Sequence, residues 1–563
     1  MRWAGVIDSA TTAVGGPKRR WPAVPERHRR WLVVAAVVAL LVQMAVAMVT
    51  TAVEQTPTID EPVYVGAAVD SLHHHRVRYN PEHPPLGKLI VAAGVAFARP
   101  HLDAGFTGDQ TALGRHVLYE AGNAPWRLML CARLPMIALT LLFGLVVFAF
   151  ARELTGPVGG AVALALYAFS PDVIAHGSLA TLDVPAAGFL LTSAWLLWRA
   201  RRRPRWHLPL AGVALGAALA TKMSTLAAVP VLLLLAVCSV WYARRAHHRA
   251  PRDPARSLAV GVAAAVAMAL IAVAVVWFAY ALVDPRLRWT PTGPVPAVHG
   301  LRGLAVHGLP LPEAYRDGMR IQFGFEQDTW RGFLLGRRYV GSLWYYLPVA
   351  LLVKTPLGML ALWSAGAVTT LVVPRLRPAA PYVLLPAAVL LLAALDGARN
   401  LGVRYAVFLP MFLAVAAAGL TAVRRRWAYG AALGLVLFVA VSSLRTYPYY
   451  LPYSNEAFGG PSRTHLRLHD SNVDWGQDLG RLADRLRERY RGERIWLVYK
   501  GSGVPSAYGV HASDPRRAAP ERVRGLLVVS DSSAARATGR LAALIDGSRP
   551  IDEVGHSITI YRR

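Results

Sequence analysis

Two adjacent carboxylates, Asp60 and Glu61, stand in the run Thr58-Ile59-Asp60-Glu61-Pro62, a few residues past the first long apolar stretch. Such a pair at a membrane surface suits a general base that deprotonates an acceptor group while its neighbour holds a ligand. The structural alternative is a cap, since Asp before Glu-Pro is also a good helix start. Further on, Tyr79-Asn80-Pro81-Glu82-His83-Pro84-Pro85-Leu86-Gly87-Lys88 precedes an apolar run, Leu89 to Ala98, too short to span a bilayer. The prolines stiffen the chain there, and the pattern predicts a re-entrant or interfacial element presenting Glu82, His83 and Lys88. His83 suits three roles: a cation for phosphate, a general acid/base, or an ordinary polar loop residue.

Asp183, in Thr181-Leu182-Asp183-Val184-Pro185, stands where a helix enters the membrane, a costly place for an unpaired acid. It either caps that helix or joins Asp60 at a shared site. Lys222, Lys354 and Arg404 fall at predicted helix ends or within spans, where cations bind phosphate or pair with acids. Arg133 does the same or snorkels. The run His73-His74-His75 invites a zinc reading, but consecutive histidines converge poorly on one metal, and solvated side chains are expected. In Asp470-Ser471-Asn472-Val473-Asp474-Trp475-Gly476-Gln477-Asp478-Leu479, alternating acids suggest a calcium loop. The glycine comes one place late, however, and the twelfth position is Arg481 rather than Glu, so an EF-hand is rejected. A helix N-terminus capped by Asp474 is expected instead.

The elements that must position these groups are membrane helices. Of 563 residues, 55% are hydrophobic and only 17% charged, with a mean hydropathy of +0.36. The formal charge of +28 raises the question of nucleic acid. That charge lies mostly in short clusters between apolar runs: Lys18 to Arg30, Arg199 to Arg205, Arg244 to Arg256, Arg375 with Arg377, and Arg424 to Arg426. Glu26 and Asp253 are the only acids inside them. Basic, acid-poor loops mark a cytoplasmic side, and no basic face of a folded domain offers itself to nucleic acid.

The clusters fix a reading of about eleven spans. Trp31 to Thr51 serves as a signal anchor, and Leu128 to Phe150 returns the chain. A hairpin follows, Val158 to Val173 and Val184 to Trp198, and the next stretch turns at Thr221 to Ser224. Ser257 to Leu282 goes out and Tyr345 to Val373 comes back. Pro381 to Leu395 and Val403 to Thr421 form another hairpin, turning at Asp396 to Arg399, and Trp427 to Ser443 exits. The domains are then a basic cytoplasmic N-terminus over residues 1–30, a membrane domain over 31–443 with outer loops 52–127 and 283–344, and an extracytoplasmic domain over 444–563. That last segment reads as a small α/β domain: Ile495 to Tyr499, Gly525 to Ser530 and Ser557 to Tyr561 have strand character, Gln477 to Tyr490 and Ser533 to Ile545 helical periodicity. Cys131 and Cys238 fall within spans and imply no disulfide framework.

In this order and topology, Asp60-Glu61, His83-Pro84-Pro85-Leu86, Leu182-Asp183 and Arg404-Tyr405 resemble the glycosyltransferase C (GT-C) superfamily, most of all the protein O-mannosyltransferases and the bacterial aminoarabinose transferases of lipid A. The likeness covers about the first 420 residues by layout. The region from Tyr453-Ser454-Asn455-Glu456 to Leu479 resembles a tail of bacterial members. The resemblance implies an inverting transferase at the outer face of a bacterial inner membrane, using a polyprenyl-phosphate sugar and passing it to a glycan, lipid or protein acceptor. Asp60 takes the position of the base or acceptor-orienting carboxylate, with Glu61 beside it, and these two are the expected catalytic residues. Glu82, His83, Lys88, Asp183, Lys222, Lys354, Arg404 and Tyr405 are the expected substrate-binding residues. His83 stands where the aminoarabinose enzymes carry lysine and the mannosyltransferases histidine. No metal is required by the scheme, and a divalent cation is compatible with it.

Two other classes remain. A lipid or solute transporter shares spans and intramembrane charges but more often shows inverted repeats, which are not detectable here. A purely structural subunit has no need of acids and cations gathered at one membrane face.

Overall fold

The computed structural model describes residues 26–247 and 253–563. Most of the expected basic N-terminus, residues 1–25, and the middle of the Arg244 to Arg256 cluster lie outside the described residues. The chain is a multi-pass helical membrane protein with a small sheet domain at its C-terminal end.

Among the described residues, six helices are long and apolar enough to cross a bilayer: Arg30–Glu54, Pro125–Thr155, Met223–Arg245, Pro254–Val283, Arg377–Leu395 and Arg426–Thr446. Two bent pairs raise the number to eight if each is one span, Pro157–Ala168 with Pro171–Gly177 at 61°, and Tyr346–Lys354 with Leu357–Val372 at 117°. Each bend falls just before a proline, Pro171 or Pro356, whose ring and missing N–H interrupt the helical ladder. The other expected spans are helical too, as Asp183–Ala200, Pro204–Thr221 and Phe408–Val423, but do not reach that length and hydropathy. The expected interfacial element is the helix Pro85–Val95 with a following turn to Ala98.

The loop after Pro254–Val283 carries the helices Gly300–Gly308 and Glu313–Phe325 and a hairpin of strands β1 (Arg331–Leu334) and β2 (Arg337–Val340). The C-terminal sheet contains β3 (Ile495–Val498), β4 (Leu526–Ser530), β5 (Arg549–Val554) and β6 (Ile558–Arg562), in the order β3-β4-β6-β5. β3 and β4 are parallel and the other neighbours antiparallel. The alternation of a strand buried on both faces is plain in β4: Leu526 and Val528 face the helix Leu479–Arg489, Leu527 and Val529 the side of Leu544. The predicted helix Ser533 to Ile545 is broken into Asp531–Ala535 and Gly539–Asp546.

Between the last long helix and this sheet, the tail does not behave as part of the small domain. Tyr450, Leu451, Leu468, Val473 and Trp475 are buried in the core of the membrane helices, whereas the small domain's own core begins at Leu479. Helix Leu479–Arg489 follows Asp478, so Asp474 is not its cap, contrary to the sequence expectation. Asp474 is buried instead, and accepts from the Gly476 and Ser532 backbone N–H groups. Burial pushes its carboxyl up to about 7, with Lys500 opposing.

Candidate active site

Asp60 occupies the N-cap position of the helix Glu61–His74, yet its side chain makes no capping bond. Its Oδ2 accepts a hydrogen bond from Arg404 Nη1 at 2.5 Å, 344 residues away. Arg404 comes from a one-turn helix, Val403–Ala406, and its guanidinium lies over the Trp475 ring at 4.4 Å and the Tyr405 ring at 5.2 Å.

The tail holds both partners. The backbone N–H groups of Thr56 and Ile59 donate to the carbonyls of Gln477 and Trp475, at 2.9 and 3.0 Å, fixing the loop that delivers Asp60. On the other side, Val403 N–H donates to Asn472 Oδ1 at 3.0 Å, and Ser471 Oγ donates to the Leu401 carbonyl at 2.7 Å. Gly402 is required there, because a Cβ would lie 2.1 Å from Ser471 Oγ. Residues 471–477 thus form a strap joining the Asp60 loop to the Arg404 turn.

Glu61 points the other way. Its two carboxylate oxygens accept from Arg133 Nε and Nη2 at 2.7 Å each, and further from Thr58 and the Ala180 N–H. Arg133 spends its remaining N–H groups on the carbonyls of Ala52, Gln55 and Thr56. Both side chains are fully buried. Burial alone would raise the Glu61 carboxyl, but the Arg133 charge and hydrogen bonds from Arg133, Thr58 and Ala180 hold it below its ordinary value. Every oxygen is committed to structure, so Glu61 is not open to substrate; it is a positioning residue that anchors the loop carrying Asp60.

Of the other expected binding residues, Glu82 and His83 lie on the stiff loop before helix Pro85–Val95. Lys88 Nζ reaches back to the carbonyls of Asn80 and His83, at 2.6 and 2.8 Å, and clamps that loop from behind. Burial, then the charges of Lys222 and Lys88, lower the His83 pKa well below the usual histidine range. Asp183 pairs with Lys222. Lys354 is buried at the bend of its helix pair, where it donates to the Leu451 and Asn472 carbonyls and faces Asp172 at 3.6 Å.

One cavity of about 650 Å³ collects Asp60, Glu82, His83, Asp183, Lys222, Arg404 and Tyr405. Glu61, Lys88 and Lys354 are not on its wall: each is spent on backbone or ion-pair contacts behind it. The sequence expectation gave Glu61 a catalytic role and Lys88 and Lys354 a substrate contact; the contacts they make here are supporting ones. Sequence reading missed Trp475, which sat inside the acidic run read for calcium and helix capping, Gln322 and Glu326, which fell in the outer loop 283–344, and Arg399, which was read only as part of the turn Asp396 to Arg399. His73, His74 and His75 are exposed on a helix end, as expected of solvated residues.

Residues 37–283 match the family model described as dolichyl-phosphate-mannose-protein mannosyltransferase. The GT-C resemblance is borne out. The match covers somewhat under half of the chain and includes Asp60, His83, Asp183 and Lys222, but not Arg404. No curated protein sequence matches the chain. Among solved structures, ArnT from Cupriavidus metallidurans bound to undecaprenyl phosphate is 14% identical, covering 95% of this chain and 98% of that one, with a TM-score of 0.45. The Archaeoglobus fulgidus oligosaccharyltransferase in complex with zinc and sulfate is 14% identical over 90% of this chain and 69% of that one, with a TM-score of 0.41. The Saccharomyces cerevisiae Pmt1-Pmt2 complex bound to the sugar donor is 16% identical over 45% of this chain and 33% of that one, with a TM-score of 0.34. At these scores the likenesses are loose.

Proposed function

We propose that the protein is an inverting glycosyltransferase of a bacterial inner membrane, moving a sugar from a polyprenyl-phosphate donor to an acceptor at the outer face. The observation that carries this reading is the Asp60–Arg404 pair, set in a cavity that also holds Lys222 and runs onto apolar helix faces at Leu190, Leu390 and Phe408. A carboxylate, a guanidinium and an ammonium beside a hydrocarbon wall suit a lipid phosphate and its departure.

In the reaction, Asp60 takes the proton of the acceptor hydroxyl, whose oxygen forms a bond to the anomeric carbon from the face opposite the phosphate. The bond between that carbon and the phosphate oxygen breaks, and its electron pair leaves with the polyprenyl phosphate. Arg404 uses Nη1 on Asp60 while its Nε has no partner, so another edge of the fork is left for the leaving phosphate. Lys222 adds a second positive charge, and such groups aimed at developing charge contribute several kcal/mol.

The test is release of free polyprenyl phosphate by the purified protein in detergent, given a polyprenyl-phosphate sugar and a broad acceptor panel. Release is expected. Protein that binds the donor but never frees the phosphate would instead be a transporter of lipid-linked sugars.

A further inference from the structure

The cavity has two chemically different walls. One is the apolar helix face, at Leu190, Leu390 and Phe408; the other is built from segments outside the long spans. On this second wall a continuous polar network joins four separate pieces of chain. Gln110 Nε2 donates to Glu82 Oε1 at 2.7 Å, Gln322 Nε2 to the Glu82 carbonyl at 3.0 Å, and Arg399 Nη2 to Gln322 Oε1 at 2.8 Å. Glu326 faces Arg399 at 3.6 Å and is fixed by the Ala398 N–H at 2.6 Å. The approach of these pieces is built in: a Cβ on Gly318, one turn before Gln322, would lie 2.0 Å from the Pro81 carbonyl.

The network is not saturated. Arg399 Nε is buried without a partner, and Gln322 spends one of its two amide hydrogens on Glu82. Apolar ring surface lies among these planar polar groups, with the Arg399 guanidinium 5.2 Å from the Phe325 ring and Trp330 lining the same cavity. Two acids against one arginine, with two amides, leave this network net negative, whereas at the other end Asp60 and Asp183 balance Arg404 and Lys222. Planar carboxylate, amide and guanidinium groups bind neighbouring hydroxyls in pairs, and ring faces receive a sugar's C–H face.

Resting on the transferase reading, we propose that this wall is the acceptor subsite and that the acceptor is a neutral, polyhydroxylated glycan. A peptide acceptor calls for free backbone partners along a groove, and an anionic lipid for cations, and neither is what the network offers.

Binding is read without turnover, so the outcome does not depend on phosphate release. The protein is placed in nanodiscs with undecaprenyl phosphate, and mannobiose and a Ser/Thr-rich peptide are offered in turn, with saturation-transfer NMR as the readout. Mannobiose is expected to bind, and Gln322→Ala and the near-isosteric Glu326→Gln each to weaken it about fivefold or more, while undecaprenyl phosphate affinity changes by less than about twofold. Three results overturn the proposal: peptide binding in place of mannobiose, mannobiose binding unaltered in both variants, or mannobiose displaced by a sugar-bearing polyprenyl phosphate but not by the bare phosphate. The last would make the wall part of the donor site.

Discussion

The Trp475 indole lies 4.4 Å beneath the Arg404 guanidinium, so a residue of the C-terminal tail orients the cation that grips Asp60. A cation over an indole face is stabilised by about 0.5–2 kcal/mol, depending on desolvation. Trp475→Ala should therefore weaken undecaprenyl phosphate binding by about twofold to thirtyfold, and Trp475→Phe by less. A double-mutant cycle with Arg404→Ala isolates the effect: if Trp475 acts through Arg404, the two losses fall well short of additive. Additive losses would make Trp475 a packing residue only. Arg404→Lys should also weaken the site despite keeping the charge, because an ammonium cannot reproduce the guanidinium fork between Asp60 and a phosphate.

Asp60→Asn should abolish transfer while protein yield and donor binding persist. Asn is nearly isosteric but accepts no proton at neutral pH, and loss of a general base costs about 10²–10⁴-fold. The geometry strengthens the expectation, since the Asp60 side chain takes no part in capping its helix. Near-normal turnover of Asp60→Asn with a defined acceptor would remove it from the chemistry.

What the sequence revealed and what it hid divide along a physical line. Apolar runs bounded by basic clusters located the helices to within a few residues, because hydrocarbon length and backbone satisfaction constrain both. Cations and acids in membrane helices were equally visible as groups that need a reason, and Asp183 with Lys222 found one in each other. Direction was not visible. Asp60 and Glu61 are neighbours on one turn, and only the position of Arg133, 72 residues further on, turns one inward to structure and leaves the other to the cavity. Trp475 was hidden for the same reason: its role depends on a contact with a residue 71 positions earlier, which no local pattern reports.

Glu61 therefore yields a prediction about folding. Glu61→Gln leaves the fully buried Arg133 charge without its counter-ion, and breaking a buried pair from one side typically costs about 3–5 kcal/mol. Yield and thermal stability in detergent should fall sharply, while whatever folds still binds undecaprenyl phosphate. The pH dependence follows from the sign of the shift. The Glu61 carboxyl is held below its ordinary value, so its contribution is complete above the unfolded pKa and is lost as pH falls through the lower folded one. Stability from this pair should be flat around neutrality and fade only as pH falls below the ordinary carboxylate pKa. A Glu61→Gln protein as stable as wild type but inactive would return Glu61 to the catalytic set.

Orientation is tested by fusion. The basic clusters assign residues 424–426 to the cytoplasm and the C-terminal domain to the outside. Alkaline phosphatase fused after Arg563 should be active, and fused after Arg426 inactive. An inactive C-terminal fusion, with the protein present in the membrane, would reverse the assignment and put the cavity's polar wall on the inner side.

The last prediction concerns how His83 meets the donor. It lies on the cavity wall with the cations Lys222 and Lys88 nearby, its Nδ1 is buried without a partner, and its pKa is lowered well below the ordinary histidine value, first by burial and then by those two charges. A histidine in that state is neutral at physiological pH. It offers phosphate or sugar a hydrogen bond and no charge, which separates it from the Lys222 and Arg404 end of the site. The pH–rate profile of kcat/KM should then carry no falling limb that belongs to His83 as pH rises from about 6 to 8, the window in which an ordinary histidine would lose its proton, so His83→Gln should leave the shape of the profile unchanged. His83→Gln, which keeps hydrogen-bonding capacity and lacks titration, should retain most of the donor affinity, whereas His83→Ala loses it. Should activity instead fall with rising pH through that window, and His83→Gln abolish the fall, the imidazole would be charged in the working enzyme, and a bound phosphate would have to be what supplies the compensating negative charge.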